Sequence, residues 1–121
     1  MLIRNLNDAA RTPVQMDGAD GVTMAVMVGR EDGAPNFSLR SILVEPGGHS
    51  PHHSHDYEHE AVVLSGTGEV LLEGEYRPIK AGDIVYVPAN EEHQFKAGSD
   101  GLNFLCLVPV SRNCGDPTPG S

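Results

Sequence analysis

Five of the six histidines in the chain lie between His49 and His59, and this cluster is the part of the sequence best suited to chemistry. Imidazole is the commonest metal ligand among protein side chains, so a dense histidine cluster predicts a metal site. Side chains alternate between the two faces of a β-strand, which would place His53, His55 and His59 on one face and Glu60 on the other.

The other histidines of the cluster are interpreted as rim residues. His49 and His52 stand beside Gly48 and Pro51, where we expect a loop or the entry to a strand. Histidines in such positions are more often exposed to solvent than bound to a metal. We therefore exclude both from the predicted ligand set.

The elements that must position these side chains are predicted to be strands. Short segments rich in β-branched or apolar residues alternate with turn residues, and no segment has the apolar repeat of an amphipathic helix. The 14 glycines and 9 prolines leave little room for a long helix. The pattern predicts an all-β sandwich or barrel with strands at residues 22–28, 37–45, 60–64, 69–73, 84–87 and 102–110.

The chain length of 121 residues corresponds to a single domain with one core. We assign residues 21–110 to the barrel and residues 1–20, whose composition is mixed, to an N-terminal arm. Residues 111–121 are rich in proline and glycine, and we expect them to form a disordered tail.

Charge and composition indicate the kind of partner. The 17 acidic and 8 basic residues give a formal charge of −9, which repels the phosphate backbone of nucleic acids. No apolar run has the length of a membrane span, and the first residues contain no apolar leader. The two cysteines, Cys106 and Cys114, are too few for a disulfide framework. We expect a cytoplasmic protein with a small-molecule substrate and no nucleic acid or membrane partner.

The segment around the histidine cluster resembles the first of the two sequence motifs of the cupin superfamily. Cupins are small β-barrels that hold a metal inside, and in this motif a glycine precedes an HxH pair that a glutamate follows. Gly47, His53 and His55 stand at the glycine and HxH positions. The resemblance implies a single-domain, jelly-roll-like β-barrel.

A second segment is similar to the other cupin motif, in which a glycine, a proline, a second glycine and a histidine occur in that order with other residues between them. Gly82, Pro88 and His93 match, and Asn90 stands where the motif has its second glycine. The resemblance thus adds the distant His93 to the ligands.

The remaining ligand position is open between His59 and Glu60. The motif carries a glutamate there, and Glu60 fits when counted forward from the HxH pair. Side-chain parity and the distance to a turn expected at Gly66 both favour His59. A β-bulge would rotate the face and restore the carboxylate. We favour His59.

With His59, the pattern resembles the small single-domain manganese cupins that use four histidines. This resemblance implies a divalent metal, manganese above all, bound by His53, His55, His59 and His93. Imidazole ligands suit Fe, Zn, Ni or Cu as well, so the residues themselves do not select manganese. The resemblance to these cupins also implies a homodimer. Residues 1–20 are the candidate arm for pairing between the two copies.

Three hypotheses describe what such a site does. The leading one is a dioxygenase-like oxidoreductase, in which the metal binds oxygen or peroxide together with a small organic substrate. A second is a redox-silent isomerase or lyase that uses the metal as a Lewis acid, although no proton-transfer residue is evident. The third is a cupin that binds a small ligand without turnover. Four neutral imidazoles leave the ion its full charge in each case.

Three further residues are candidates for the cavity wall. Phe104 and Cys106 share a face of the last strand, and Cys106 is either inert core packing or a thiol near the metal. Arg40 lies in an apolar strand, where a snorkelling surface arginine is the favoured interpretation and a carboxylate anchor is the sharper one.

Overall fold

Strands form almost all of the regular structure in residues 1–111, the part of the chain that the computed structural model describes. Two single-turn 3-10 helices, Leu6–Asp8 and Arg30–Asp32, complete it, and these residues contain no α-helix. The all-β prediction is confirmed. The strands are β1 (Thr12–Pro13), β2 (Asp20–Val28), β3 (Phe37–His49), β4 (His59–Leu72), β5 (Glu75–Lys80), β6 (Ile84–Val87) and β7 (Gln94–Pro109).

The strands pair antiparallel in the order β1, β2, β3, β7, β4, β5, and β6 pairs with β4 off this path. The long strand β4 pairs with β6 along its first half, with β5 along its second half, and with β7 along both. Alternation along β7 explains the core, because Leu102, Phe104, Cys106 and Val108 are each at most 2% exposed. Their partners on the other strands complete one buried cluster inside the barrel.

The turn expected at Gly66 is a bulge inside β4, so two predicted strands are one. Gly66 has φ +88, and the pairing register of β4 with β7 shifts on both sides of it. A side chain at Gly66 would collide with the carbonyl oxygen of Gly101 on β7. Glycine here permits the left-handed backbone and the close approach of two strands. In the local sequence, such a glycine looks the same as a glycine in a turn.

The N-terminal residues lie against the barrel. The short strand β1 pairs with β2, and Val14 donates a backbone hydrogen bond to Val22. Farther upstream, Arg4 forms an ion pair of 2.6 Å with Asp32, and this guanidinium lowers the pKa of Asp32 to about 2. The predicted tail lies outside the described residues, apart from Ser111.

Candidate metal centre

Three histidines converge inside the barrel. The ring nitrogens that His53, His55 and His93 can offer to a metal all lie within 4.8 Å of one another. The Nε2 atoms of His53 and His55 are 3.1 Å apart. The ring centre of His93 is 4.9 Å from that of His53 and 5.3 Å from that of His55. These three residues can therefore hold a metal ion.

Backbone hydrogen bonds hold the two histidine segments together. His53 and His93 form an isolated antiparallel bridge, in which each amide donates to the carbonyl of the other at 3.2 and 2.9 Å. The amide of Asn90 donates to the carbonyl of His55. Asn90 has φ +69, a left-handed conformation that asparagine tolerates better than most residues, which explains how it replaces the glycine of the motif.

His59 is the first residue of β4, and its side chain faces the barrel interior at 6% exposure. Its ring centre lies 5.1 Å from that of His55 and 4.9 Å from that of His93. Glu60 is exposed on the outside of the sheet, as side-chain parity predicts. The structure thus brings His59 beside the other three histidines and keeps Glu60 away. The role of His59 as a ligand stays a prediction.

Contacts at Nδ1 leave the Nε2 atoms of two histidines available. The Nδ1 of His93 is 3.0 Å from the carbonyl oxygen of Glu91, which can only accept, so Nδ1 carries the proton. The Nδ1 of His59 is 3.3 Å from the Sγ of Cys106. Within residues 1–111, the buried Nε2 of His59 makes no hydrogen bond. Such outer contacts fix the tautomer and orientation of a ligating imidazole.

The environment keeps these imidazoles neutral. Burial, followed by the charges of neighbouring groups, lowers the pKa of His53 to about 4 and that of His59 to about 2. Burial also lowers the pKa of His93, although the Glu91 carbonyl opposes the shift. At neutral pH each of these rings therefore keeps one nitrogen without a proton, as metal binding requires.

The donor set fits a divalent cation with nitrogen ligands. Two nitrogens bound at about 2.1 Å to one cation and at a right angle would be about 3 Å apart, close to the spacing of His53 and His55. The unsatisfied Nε2 of His59 offers a further donor. Imidazoles accept several first-row metals, so the geometry does not choose among them.

A mostly apolar cavity lies beside the histidines. Its volume is about 80 Å³. Since one water needs about 10–15 Å³ of such volume, the space suits a ligand the size of a few waters. Its wall comprises Val14, Met16, Val22, Met24, Arg40, Ile42, Ser50, Pro51, Tyr57, Phe95, Phe104 and Cys106 together with the four histidines.

Arg40, Phe104 and Cys106, the three candidate wall residues, all line this cavity. Arg40 is only 6% exposed, so the interpretation as a surface arginine is wrong. It lies on the inner face of β3 because the alternation of that strand, and not the polarity of the residue, sets its direction. Cys106 is free and buried beside it, with Sγ 3.2 Å from an Nη of Arg40.

Sequence reasoning missed the wall residues from the N-terminal part of the chain. Val14 and Met16 follow β1, and Val22 and Met24 share the inner face of β2. Parity along residues 22–28 was a usable signal for the second pair. Tyr57 is 8% exposed and stacks on His55 with ring centres 4.7 Å apart.

The excluded histidines lie away from the three converging rings. The Nε2 of His52 contacts a carboxylate oxygen of Glu92 at 3.1 Å near the surface. The Nδ1 of His49 is 3.5 Å from the side-chain amide of Gln94. Neither residue lines the cavity.

Comparison with known proteins identifies relatives of this arrangement. A family model described as a cupin domain matches residues 41–109. The solved structure of the polyketide cyclase RemF from Streptomyces resistomycificus has a TM-score of 0.89 and 29% identity, and covers 98% of this chain and 86% of that one.

Two curated relatives are enzymes by name. The 1-methylthio-D-xylulose 5-phosphate methylsulfurylase of Rhodospirillum rubrum is 36% identical over 62% of this chain and 49% of its own length. The dimethylsulfoniopropionate lyase DddW of Ruegeria pomeroyi is 36% identical over 74% of this chain and 51% of its own length. The chain thus spans about half the length of these relatives.

No helix in residues 1–111 is long and apolar enough to cross a membrane.

Proposed function

This chain belongs to the cupin domain family, and on that premise we propose that it is an enzyme whose bound metal acts as a Lewis acid in a redox-neutral reaction. We propose that His53, His55, His59 and His93 hold a divalent cation. The observation that carries this proposal is the convergence of neutral imidazoles on one apolar cavity. A cation bound by neutral ligands keeps its full charge and polarises an oxygen atom of the substrate.

The chain's own residues supply the rest of the site. The mostly apolar wall would surround a bound substrate with few polar groups, which strengthens electrostatic interactions inside the cavity. Three residues of the wall carry a hydroxyl or thiol group: Ser50, Tyr57 and Cys106. The sequence alone had indicated no proton-transfer residue. These groups can donate hydrogen bonds to a substrate oxygen or hold a proton near it.

Two observations favour redox-neutral chemistry over the dioxygenase hypothesis. First, similar proteins are named as a cyclase and a lyase. Second, the free thiol of Cys106 lies 3.3 Å from His59, where activated oxygen would readily oxidise it. Manganese remains the proposed metal on the resemblance to four-histidine cupins, with Fe, Zn, Ni and Cu as alternatives to be separated by metal analysis of the isolated protein.

Anaerobic turnover tests the reaction class. The protein would be loaded with zinc, which has no redox chemistry, and in parallel with manganese or iron. A panel of β-hydroxy and β-keto compounds would then be assayed for elimination, cyclisation or isomerisation. We expect turnover by the zinc form without oxygen. Turnover that requires both oxygen and a redox-active metal would support the dioxygenase hypothesis, and tight binding without turnover would support a binding module.

We also propose that the chain forms a homodimer through the outer face of the sheet. A groove there is lined by Leu39, Ala61, Val62, Ile84, Leu105 and Leu107, with Glu60 as its charged residue. Ile84 is 71% exposed and the neighbouring Tyr86 56% exposed. In a chain with a formal charge of −9, this nearly uncharged face is where two copies would repel each other least.

A further inference from the structure

Ser50 is a hydroxyl residue of the cavity wall, and β7 holds it in place. It follows His49, the last residue of β3, and is partly buried. The amide of Ser50 donates to the carbonyl of Phe95 at 2.9 Å, and the amide of Phe95 donates to the Oγ of Ser50 at 2.8 Å. This pair of hydrogen bonds fixes both the backbone and the hydroxyl oxygen of Ser50 against the strand.

A third hydrogen bond reaches Ser50 from outside the cavity. The side-chain amide of Gln94 donates to the carbonyl of Ser50 at 3.0 Å, and the amide oxygen accepts from the hydroxyl of Tyr76 at 2.8 Å. Gln94 is only 8% exposed and is not part of the cavity wall. A buried amide whose donor and acceptor both have partners is a rigid support. The protein itself therefore sets the position of Ser50.

The hydroxyl hydrogen of Ser50 has only a weak contact. A hydroxyl has one hydrogen to donate, and the amide of Phe95 occupies only the oxygen. Within residues 1–111, the acceptor for that hydrogen is the carbonyl of Pro51 at 3.5 Å. Hydrogen bonds donated by hydroxyl groups to oxygen are normally about 2.8 Å long, so this contact is weak. The hydrogen is thus available to a better acceptor in the cavity.

We infer that Ser50 donates a hydrogen bond to a carbonyl oxygen of the substrate, and that the substrate is a small, mostly apolar carbonyl compound. This inference rests on the proposed function, because it names the substrate class of the same cavity. A carbonyl oxygen accepts and does not donate, which matches a hydroxyl whose own oxygen is already engaged. Pro51 and Phe95, the neighbours of Ser50 in the wall, are apolar, and a hydrogen bond in apolar surroundings is stronger than one in water.

The test compares two ring compounds of the same shape. Cyclobutanone carries a carbonyl oxygen where methylenecyclobutane carries a CH2 group, and both suit a mostly apolar cavity the size of a few waters. Their dissociation constants are measured by NMR titration of the full chain after a chelator has removed metal, so that a metal–oxygen bond cannot contribute. The ratio of the two constants is compared between variants, since a change in packing affects both compounds alike.

Substitutions at Ser50 locate the preference. Ser50→Ala removes the hydroxyl, and we expect the preference for cyclobutanone to fall by about fivefold, the effect of one hydrogen bond between uncharged groups. Ser99→Ala removes a hydroxyl at an exposed position of β7 and should leave the ratio unchanged. Ser50→Cys replaces the hydroxyl by a weak donor and should lose part of the preference, which decides the question if Ser50→Ala does not fold.

The outcomes separate this inference from the proposed function. An unchanged ratio in Ser50→Ala, or in Ser50→Cys where that variant decides, would overturn the role of Ser50, and so would failure of the wild type to bind cyclobutanone. Failure of the protein to bind any divalent metal, with the Ser50-dependent preference intact, would overturn the proposed function and leave the carbonyl site standing. Metal affinity is measured separately by competition with a chelator.

Discussion

The Nδ1 of His59 lies 3.3 Å from the Sγ of Cys106, and the opposite nitrogen of the same ring is buried without a hydrogen bond in residues 1–111. Cys106 also contacts Arg40, so one thiol lies between the fourth histidine and the cationic group of the cavity. A contact of this kind orients an imidazole for metal binding. Cys106 is therefore a positioning residue in the proposed centre.

Replacing Cys106 should weaken metal binding without removing a ligand. Cys106→Val removes the partner of His59 Nδ1, and we expect metal affinity to fall by about tenfold or more. Cys106→Ser can still accept a hydrogen bond and should lose less. The measurement is competition with a chromogenic chelator. Equal affinity of wild type and Cys106→Val would show that the thiol is only core packing.

Metal content distinguishes the two alternatives for the fourth ligand. His59 faces the cavity and Glu60 faces outward, so His59→Ala should reduce the metal bound per chain and Glu60→Ala should not. Elemental analysis of the two purified variants beside wild type measures this. Loss of metal in Glu60→Ala alone would contradict the predicted ligand set and would require a bulge that turns the carboxylate inward.

Metal-free protein should lose stability as the pH falls below 6.5, the ordinary pKa of histidine. Burial lowers the pKa of His53 from 6.5 to about 4 and that of His59 from 6.5 to about 2. The unfolded chain therefore binds more protons than the folded one below pH 6.5. The contribution of these two neutral histidines to the free energy of unfolding is fully present above pH 6.5 and declines as the pH falls towards 4.

Thermal unfolding of chelated protein between pH 7.5 and 4.5 measures this decline. His59→Leu removes one of the responsible groups and should unfold at a temperature that depends less steeply on pH. His52→Gln changes an exposed histidine and serves as control. A pH dependence identical in wild type and His59→Leu would mean that other groups cause it.

The bulge in β4 should be intolerant of a side chain. Gly66→Ala meets both a left-handed backbone and the carbonyl oxygen of Gly101, and we expect it to lower the free energy of unfolding by about 3 kcal/mol or more. Gly74→Ala has a similar φ of +77 but open space around it, and should cost about 1 kcal/mol. Urea denaturation measures both. Equal losses would show that backbone strain alone explains the glycine at position 66.

The apolar outer face should govern self-association. Ile84→Lys places a charge in the proposed dimer contact and should shift the protein to monomer, as measured by light scattering coupled to gel filtration. Ser99→Lys adds the same charge at an exposed position of β7 and should leave the mass unchanged. A monomeric wild type would remove the basis of the dimer proposal.

Local patterns predicted much of the fold and the orientation of the histidines. Period-two alternation correctly directed His59 inward and Glu60 outward, because parity is a property of the strand itself. The same local view failed at Gly66, where glycine serves the approach of a distant strand. It also misplaced Arg40, since burial of a charge depends on what the rest of the barrel brings to the cavity. Val14 and Met16 escaped notice for the same reason.

The backbone bridge between His53 and His93 has a consequence for the loading of the site. These two residues are far apart in the chain, yet their amides and carbonyls bind each other directly, so their spacing does not depend on an ion. A cation entering such a preorganised pair has little chain entropy to overcome. Stripping and exchange of the metal should therefore proceed without refolding, which makes a series of metal-substituted forms attainable from one preparation.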